Sequence, residues 1–263
     1  MISVTSAQLT AWIAAFIFPL ARILALISSS PVLGNKQIPI RVKVGLAMLI
    51  TVIVAPTITM PANIEPASAQ GLFILVQQIL VGLAMGFTMR LIFTAVEMAG
   101  DLAGMQMGLG FASFYDPVNA SYTPVVAQFL GILTTLAFLS FNGHLYMLSA
   151  LADSFQAFPI SASMPAAAAF RTMAEWGTVI FTHSLQLSMP LIGALMITNL
   201  ALGILTRSAP QLNIFAVGFP ITLTVGFATL ALSLPYLTPM LDHAINEGLD
   251  TMQRIALQMA AHS

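Results

Sequence analysis

The chain has no cysteine and very little charge. The absence of cysteine among its 263 residues excludes disulfide bonds, thiolate metal sites and a cysteine nucleophile. Charged residues make up only 6% of the chain, whereas a soluble domain carries about 25%. This number of charges is too small to cover a water-facing surface. Most of the surface must therefore face lipid or other protein. The net charge of −1 also excludes an overall basic field for nucleic acid.

Signatures of catalysis are missing as well. The sequence contains no G-x-S-x-G, P-loop or H-E-x-x-H motif. No two histidines have the spacing of metal ligands, and Asp116, which precedes Pro117, has no histidine near it in the sequence. We therefore expect no catalytic residue, no metal and no cofactor, and we predict that the protein is not an enzyme.

Long apolar runs dominate what is present. Hydrophobic residues make up 58% of the chain, and the mean hydropathy is +0.94. A helix needs roughly 20 apolar residues to cross a bilayer core. The runs do not alternate between apolar and polar residues as barrel strands do, so we predict an all-α, membrane-associated fold. The six runs cover about residues 9–33, 44–60, 71–96, 124–158, 178–206 and 212–234.

The fourth run is too long for one span. Its 35 residues would form a helix about 52 Å long, beyond the ~30 Å of a bilayer core. Asn142-Gly143 is a turn signal within it. We favour a hairpin of two shorter helices, 124–140 and 144–158, over one kinked helix. No polar linker divides residues 1–263, so we expect a single domain, ending in an amphipathic helix at about 239–262.

The chain has one basic cluster, formed by Lys36, Arg41 and Lys43 between the first and second runs. Loops rich in Lys and Arg tend to stay in the cytoplasm. We therefore expect this loop on the cytoplasmic side.

Three charged residues lie in or just after the third run. Arg90 and Glu97 are seven residues apart and face one way on a helix, and Asp101 follows four residues later. A charge at mid-bilayer is costly, so such residues face protein or water. We favour a structural pairing that locks helices together. A polar lining of a conduit and a proton relay are the alternatives.

Glycines recur at four-residue spacing in the same region. Gly82 and Gly86 form one G-x-x-x-G motif, and Gly100, Gly104 and Gly108 form a double one. Small residues at this spacing let helix backbones approach closely. They therefore predict tight helix packing.

The stretch "GDLAGMQMGLGFASFYDP" covers residues 100–117 and ends in a strong helix stop, Asp116-Pro117. Its glycines lower helix propensity, so we predict irregular backbone over 105–117. At membrane depth such backbone must be buried in protein or line a cavity. Methionine adapts to irregular gaps, so the segment is either a soft pore seal or a loop tucked against its own core. The predicted seal residues are Met105, Met107, Gly108, Leu109, Gly110, Phe111, Phe114 and Tyr115.

Four stretches together resemble the FliR family, the flagellar export-gate subunits called SctT in injectisomes. They are "FPLARILAL", "IPIRVKVGLAM", "GDLAGMQMGLGFASFYDPVNASYTPVVAQF" and "GILTRSAPQLNIFAVGFPI". The resemblance covers about residues 5–255. Its most specific parts are the glycine-methionine stretch and "RSAPQLNIFAVGFP".

The resemblance implies an all-α subunit of a helical hetero-oligomeric export gate, built from helical hairpins with kinked or broken helices. It implies FliP and FliQ as partners, FlhB and FlhA at the cytoplasmic face, and a place in the bacterial inner membrane within the flagellar basal body. Unfolded flagellar proteins would pass through the centre, with 105–117 as the plug. The expected helix-packing and subunit-contact residues are Arg22, Gly82, Gly86, Arg90, Glu97, Gly100, Asp101, Gly104, Arg207, Gln211 and Asn213.

Two other functions stay open on the sequence. A secondary transporter of a small solute or proton could use Arg90, Glu97 and Asp101, although such folds show paired repeats and none is visible here. A purely structural scaffold would make no contact with a pore.

Overall fold

The computed structural model describes residues 5–59, 64–111, 124–211 and 214–260. Within these ranges the chain forms eight α-helices and two short 3₁₀ turns, and it contains no strand, which confirms the predicted all-α fold. The helices are α1 (Ser6–Ser29), α2 (Ile40–Val54), α3 (Ala69–Gln106), α4 (Val125–Ser140), α5 (Gly143–Ala157), α6 (Ala167–Trp176), α7 (Val179–Ser208) and α8 (Ile214–Met259). The 3₁₀ turns are Ala55–Thr57 and Leu109–Phe111.

Local sequence signals set the ends of α1. At its start the Gln8 amide donates to Thr5 Oγ1 at 3.3 Å, and the Thr5 amide donates to Gln8 Oε1 at 3.0 Å, which forms a capping box. At its end Ser30 adopts an extended conformation, because the following Pro31 disfavours the helical region for the residue before it.

The fourth apolar run is broken into two shorter helices, which confirms the predicted break, while the hairpin arrangement of the two stays a prediction. α4 ends at Ser140 and α5 begins at Gly143. Between them Asn142 has a φ of 57°, in the left-handed region that asparagine tolerates better than most residues. The turn signal in the sequence therefore marks the break in this pair of helices.

The last helix is longer than the sequence predicts. α8 continues through Pro220, Pro235 and Pro239 for 46 residues, so the amphipathic stretch from about 239 is its second half and not a separate helix. That half buries Leu241, Ile245, Leu249, Met252, Ile255 and Met259, while Asp242, Asp250 and Arg254 are exposed. Burial of this stripe offsets the roughly 3 kcal/mol that an internal proline costs an isolated helix.

The chain divides into two compact units. Unit 1 consists of Met1–Leu91, Asn142–Gly177 and Ile245–Ser263, and unit 2 of Ile92–Phe141 and Thr178–Ala244. Both units draw on α3 and α8, which each supply residues to the two. The single-domain organisation stays a prediction.

Each unit has its own apolar interior. In unit 1 the fully buried residues include Phe18, Ile23 and Leu26 of α1 and Met85 and Met89 of α3. In unit 2 one core cluster consists of Val96, Ala103, Met107, Val126, Leu130, Leu191, Leu195, Leu237 and Leu241.

Five helical stretches of the described chain are long and apolar enough to cross a membrane. They are Gln8–Ser29, Ile40–Thr57, Ala69–Gln106, Ala167–Ser208 and Ala216–Met259, and the broken pair α4–α5 is a sixth candidate. These stretches are buried to different extents by the rest of the chain. In the apolar 18-residue segment of α3, 56% of the residues are buried, whereas in the corresponding segments of α2, α7 and α8 only 11–17% are.

Candidate functional site

The predicted seal segment begins where α3 ends. Met107 still donates its amide to the Ala103 carbonyl at 3.0 Å, and Gly108 then donates to Met105 at 3.1 Å. Gly108 has a φ of 85°, which a side chain would strain, so glycine is needed for the chain to leave the helix here. The helix thus extends through Gln106, two residues into the predicted irregular stretch, before the 3₁₀ turn Leu109–Phe111.

Met107 anchors this segment inside unit 2. Its side chain is fully buried, and its carbonyl accepts a hydrogen bond from Thr222 Oγ1 of α8 at 3.2 Å. The side chain lies against Gly226, where a Cβ atom would stand 2.5 Å from Met107 Cγ and 2.9 Å from its Sδ. Leu109 packs against the same core cluster. The segment is therefore fixed to α8 at its first residue outside the helix.

The rest of the segment is more open. The Met105 side chain is 54% exposed, and a Cβ added to Gly110 would meet no atom within 4 Å. The side chain of Phe111 and all of Phe114 and Tyr115 lie outside the described residues. Of the eight predicted seal residues, the structure thus brings Met107 and Leu109 into the core of unit 2 and leaves Met105 at the surface.

In unit 1, the first G-x-x-x-G motif of α3 faces α1. A Cβ on Gly82 would clash with the Arg22 carbonyl and stand 2.8 Å from Ala25 Cβ. A Cβ on Gly86 would clash with Ser29 Oγ and stand 2.7 Å from the Leu26 carbonyl. The two backbones approach so closely that only glycine fits at both positions.

In unit 2, the second glycine motif faces α4. A Cβ on Gly100 would clash with Ala127 Cα and stand 2.6 Å from its nitrogen. At Gly104 the nearest atom, Val126 Cγ2, would be 3.8 Å away, which is an ordinary contact. Gly100 is thus the close-approach point between α3 and α4.

Arg22 forms the most elaborate polar site of unit 1. Its side chain is fully buried, and its Nε donates to Gln78 Oε1 at 2.8 Å. One terminal nitrogen donates to the carbonyl and the hydroxyl of Ser154 at 2.9 and 3.1 Å, and the other donates to the Phe158 carbonyl at 2.9 Å. The guanidinium carbon lies 4.2 Å from the centre of the Phe155 ring. One side chain of α1 therefore binds α3 and the end of α5.

The hydrogen-bond partners of Arg22, which are Gln78, Ser154 and Phe158, are neutral, so the stabilisation of its charge has another source. Ser154 and Phe158 lie in the last turn of α5 and just beyond it, where the carbonyls at the end of the helix carry a partial negative charge. A cation at that end is favourable, and the face of an aromatic ring adds to the attraction. Arg22 thus acts as a cap on the C-terminus of a helix 132 positions away in sequence.

The sequence identified Arg22 but missed its partners. A signal for one of them exists, because Gln77 and Gln78 are adjacent amides inside an apolar run and both are buried. Gln77 donates from Nε2 to the Ser163 carbonyl. Buried amides in such a run indicate that a polar group lies opposite.

The charged residues of α3 are placed differently. Arg90 and Glu97 are exposed and Asp101 is half-buried. Glu97 lies along α4, with its Oε1 3.4 Å from where a Cβ on Gly131 would stand. One oxygen of Asp101 is buried and has no hydrogen-bond partner among the described residues.

The polar turn after α7 is at the surface. Arg207 and Gln211 are exposed, and Asn213 lies outside the described residues. Across the described ranges, no group of three His, Asp or Glu side chains is arranged to hold a metal ion.

The fold and these contacts define an all-α membrane protein of closely packed helices. Comparison with known proteins narrows that class, because the sequence pattern of "Bacterial export proteins, family 1" matches residues 13–248. The flagellar biosynthetic protein FliR of Pectobacterium carotovorum is 48% identical over 99% of this chain and 100% of that protein. FliR of Escherichia coli K12 is 46% identical over 94% of both chains, and FliR of Bacillus subtilis is 28% identical. The chain belongs to the FliR family, which confirms the resemblance seen in the sequence.

Proposed function

We propose that this chain is a subunit of the flagellar type III export gate and forms, with FliP and FliQ, a membrane pore for unfolded flagellar proteins. The observation that carries the proposal is the family match, which runs over residues 13–248 and so through nearly all of α1 to α8. In this proposal the complex lies in the bacterial inner membrane within the flagellar basal body, with FlhB and FlhA at its cytoplasmic face. The chain positions and seals, and it performs no catalysis.

The uncovered surface of α7 supports assembly with other subunits. The apolar window in the stretch that contains α7 is only 17% buried by the chain itself. Ile197 and Leu200 are exposed on it, and a Cβ on Gly193 or Gly203 would meet no atom within 4 Å. Exposed small residues among large apolar ones suit close contact with a neighbouring helix. A pore built from several chains would use such a face.

The anchored segment supports a role as the seal. Met107 holds it to α8, while Met105 keeps a flexible and exposed thioether beside that anchor. An apolar constriction excludes water and ions by dewetting, and flexible side chains can give way to a passing chain. We therefore assign residues 105–117 to the plug of the pore.

Deleting residues 108–111 tests this assignment. In the complex co-expressed with FliP and FliQ and reconstituted into lipid bilayers, the deletion should raise ion conductance while the complex stays assembled. The reason is that it removes the apolar residues that narrow the pore. Met105→Ala should raise the conductance less, and Leu232→Ala, which truncates an exposed side chain of α8, should leave it unchanged.

Two results would count against the proposal. An assembled deletion complex with unchanged conductance would refute the seal. A chain that is monodisperse by itself and moves a small solute into vesicles would refute the export gate and favour a transporter.

A further inference from the structure

Helix α2 is the least covered of the apolar helices. Only 11% of its apolar window is buried, and the buried residues of the helix are Ala47 and Thr51. The Thr51 hydroxyl donates to the Ala47 carbonyl of its own helix at 2.7 Å. The opposite face exposes Met48, Leu49, Val52 and Ile53, with 44–66% of each side chain accessible. Nearly the whole apolar face of α2 is therefore exposed, and lipid or another protein must cover it.

The composition of this face fits lipid better than another helix. Where helices of this chain touch closely, glycines mediate the contact, as at Gly82 and Gly100. The exposed face of α2 has a single glycine, Gly45, and no second small residue at four-residue spacing on that face. Together with the 3₁₀ turn that follows it, α2 covers 18 residues from Ile40 to Thr57, which span about 27 Å, close to the ~30 Å of a bilayer core.

The basic cluster of the chain lies at the start of this helix. Lys36 and Arg41 are exposed, while Lys43 is half-buried and donates from Nζ to the Gly34 carbonyl at 2.8 Å. The first acidic residue of the sequence is Glu65, so no carboxylate precedes or directly follows the cluster. Within the described ranges none of the three cations is in an ion pair.

Two hydrogen bonds to Asn35 also give the connection before α2 a defined shape. The Gln37 amide donates to Asn35 Oδ1 at 2.9 Å, and the Ile38 amide donates to the Asn35 carbonyl at 3.1 Å. Lys36 therefore projects from a structured turn beside the first turn of the helix. Two cations at the end of an apolar helix of bilayer length complement the phosphates of an anionic lipid surface.

We propose that the exposed face of α2 contacts the acyl chains of the bilayer and that Lys36 and Arg41 bind the headgroups of anionic phospholipids. The site selects phosphatidylglycerol over phosphatidylcholine, because the attraction depends on net negative charge. The inference rests on the membrane location of the chain and not on the proposed export function.

Lipid quenching of a single fluorescent label tests the proposal. Because the chain has no cysteine, Val52→Cys places one bimane label on the exposed face. The full-length protein is measured in nanodiscs that contain brominated phosphatidylglycerol or brominated phosphatidylcholine, both alone and in the complex with FliP and FliQ. We expect strong quenching in both preparations and tighter association of the anionic lipid. Each cation near an anionic surface raises binding about fivefold, so K36Q/R41Q should lower the preference by about 5-fold to 25-fold.

A matched control removes two other cations. R171Q/R254Q takes away the same charge from exposed positions on α6 and α8 and should keep the preference. Equal quenching by the two lipids would overturn the headgroup site, as would an equal loss in the control. Quenching that disappears in the complex would show that a protein partner covers α2, and it would overturn the lipid contact while leaving the export function intact.

Discussion

Replacing Arg22 by Met tests the buried polar site most directly. The change keeps an unbranched apolar side chain and removes the charge together with four hydrogen bonds. Gln78 Oε1 and the Phe158 carbonyl then lose the donor that the structure shows for them, whereas the Ser154 carbonyl keeps the Phe158 amide at 2.9 Å. A buried acceptor without a donor costs about 1–3 kcal/mol, so the two together cost about 2–6 kcal/mol.

An opposing term reduces this loss. In the native protein, burial of the guanidinium costs desolvation free energy. Arg22→Met buries no charge, so this cost is absent in the variant. We therefore expect a net loss of about 2–4 kcal/mol in the free energy of unfolding. At roughly 2–4 °C per kcal/mol for a chain of this size, the unfolding midpoint should fall by about 4–16 °C.

Two companion variants separate charge from geometry. Arg22→Lys keeps the charge, but a single ammonium cannot reach Gln78, Ser154 and Phe158 together, so it should be no more stable than Arg22→Met. Gln78→Leu should lower the free energy of unfolding in the parent protein but change it little in the Arg22→Met variant. The coupling energy should be about 1.5–3 kcal/mol, as for a hydrogen bond to a charged group.

The assay is thermal unfolding of the purified full-length chain in detergent, followed by the loss of its monodisperse chromatographic peak. Arg254→Met, at an exposed position of α8, is the control and should shift the midpoint by less than about 2 °C. An Arg22→Met midpoint within that margin would refute the reasoning, and so would additive effects of the changes at residues 22 and 78.

Two further outcomes follow from α3. Gly100→Ala would drive a Cβ into the backbone of Ala127 and should cost about 1–3 kcal/mol, whereas Gly110→Ala points into open space and should not change the unfolding midpoint; equal midpoints would contradict the close approach. Glu97→Ala removes the carboxylate that lies along α4 at Gly131. This change should reduce severalfold the amounts of FliP and FliQ that co-purify with the chain, while ion leakage changes little. An intact complex on a native gel would contradict this expectation.

The helices were predictable because one strong signal, long apolar runs, determines most of them. Helices and closed barrels satisfy all backbone groups in lipid, and the runs lack the alternation of barrel strands, so α1, α2, α3 and α7 follow from hydropathy and periodicity. The break between α4 and α5 follows from length together with the turn preference of Asn142.

Helix α6 and the continuity of α8 were not predictable in the same way. α6 is ten residues long and carries an exposed ion pair between Arg171 and Glu175 at 2.8 Å, so it has no apolar run to mark it. In α8, Pro235 and Pro239 locally favour the end of a helix. The helix continues because the apolar side chains that follow, from Leu241 to Met259, are buried.

For Arg22 and Gly100 the sequence contains a signal of close packing, but it does not contain their partners. A charge such as Arg22 in an apolar run indicates a buried role, but its partners on α3 and α5 depend on which helices pack together. Gly100 could be recognised as a close-approach position, while its neighbour Ala127 could not. Which residues contact each other across helices depends on tertiary packing, and a single sequence carries little information about it.

The partners of Arg22 also constrain how the protein is made. Gln78, Ser154 and Phe158 all follow α1 in the chain, so the first helix leaves the ribosome long before any group that can solvate its guanidinium. Until residue 158 has been synthesised, α1 must keep that side chain near water or near the insertion machinery. A nascent chain truncated between α1 and α5 would therefore hold its first helix only loosely in the bilayer.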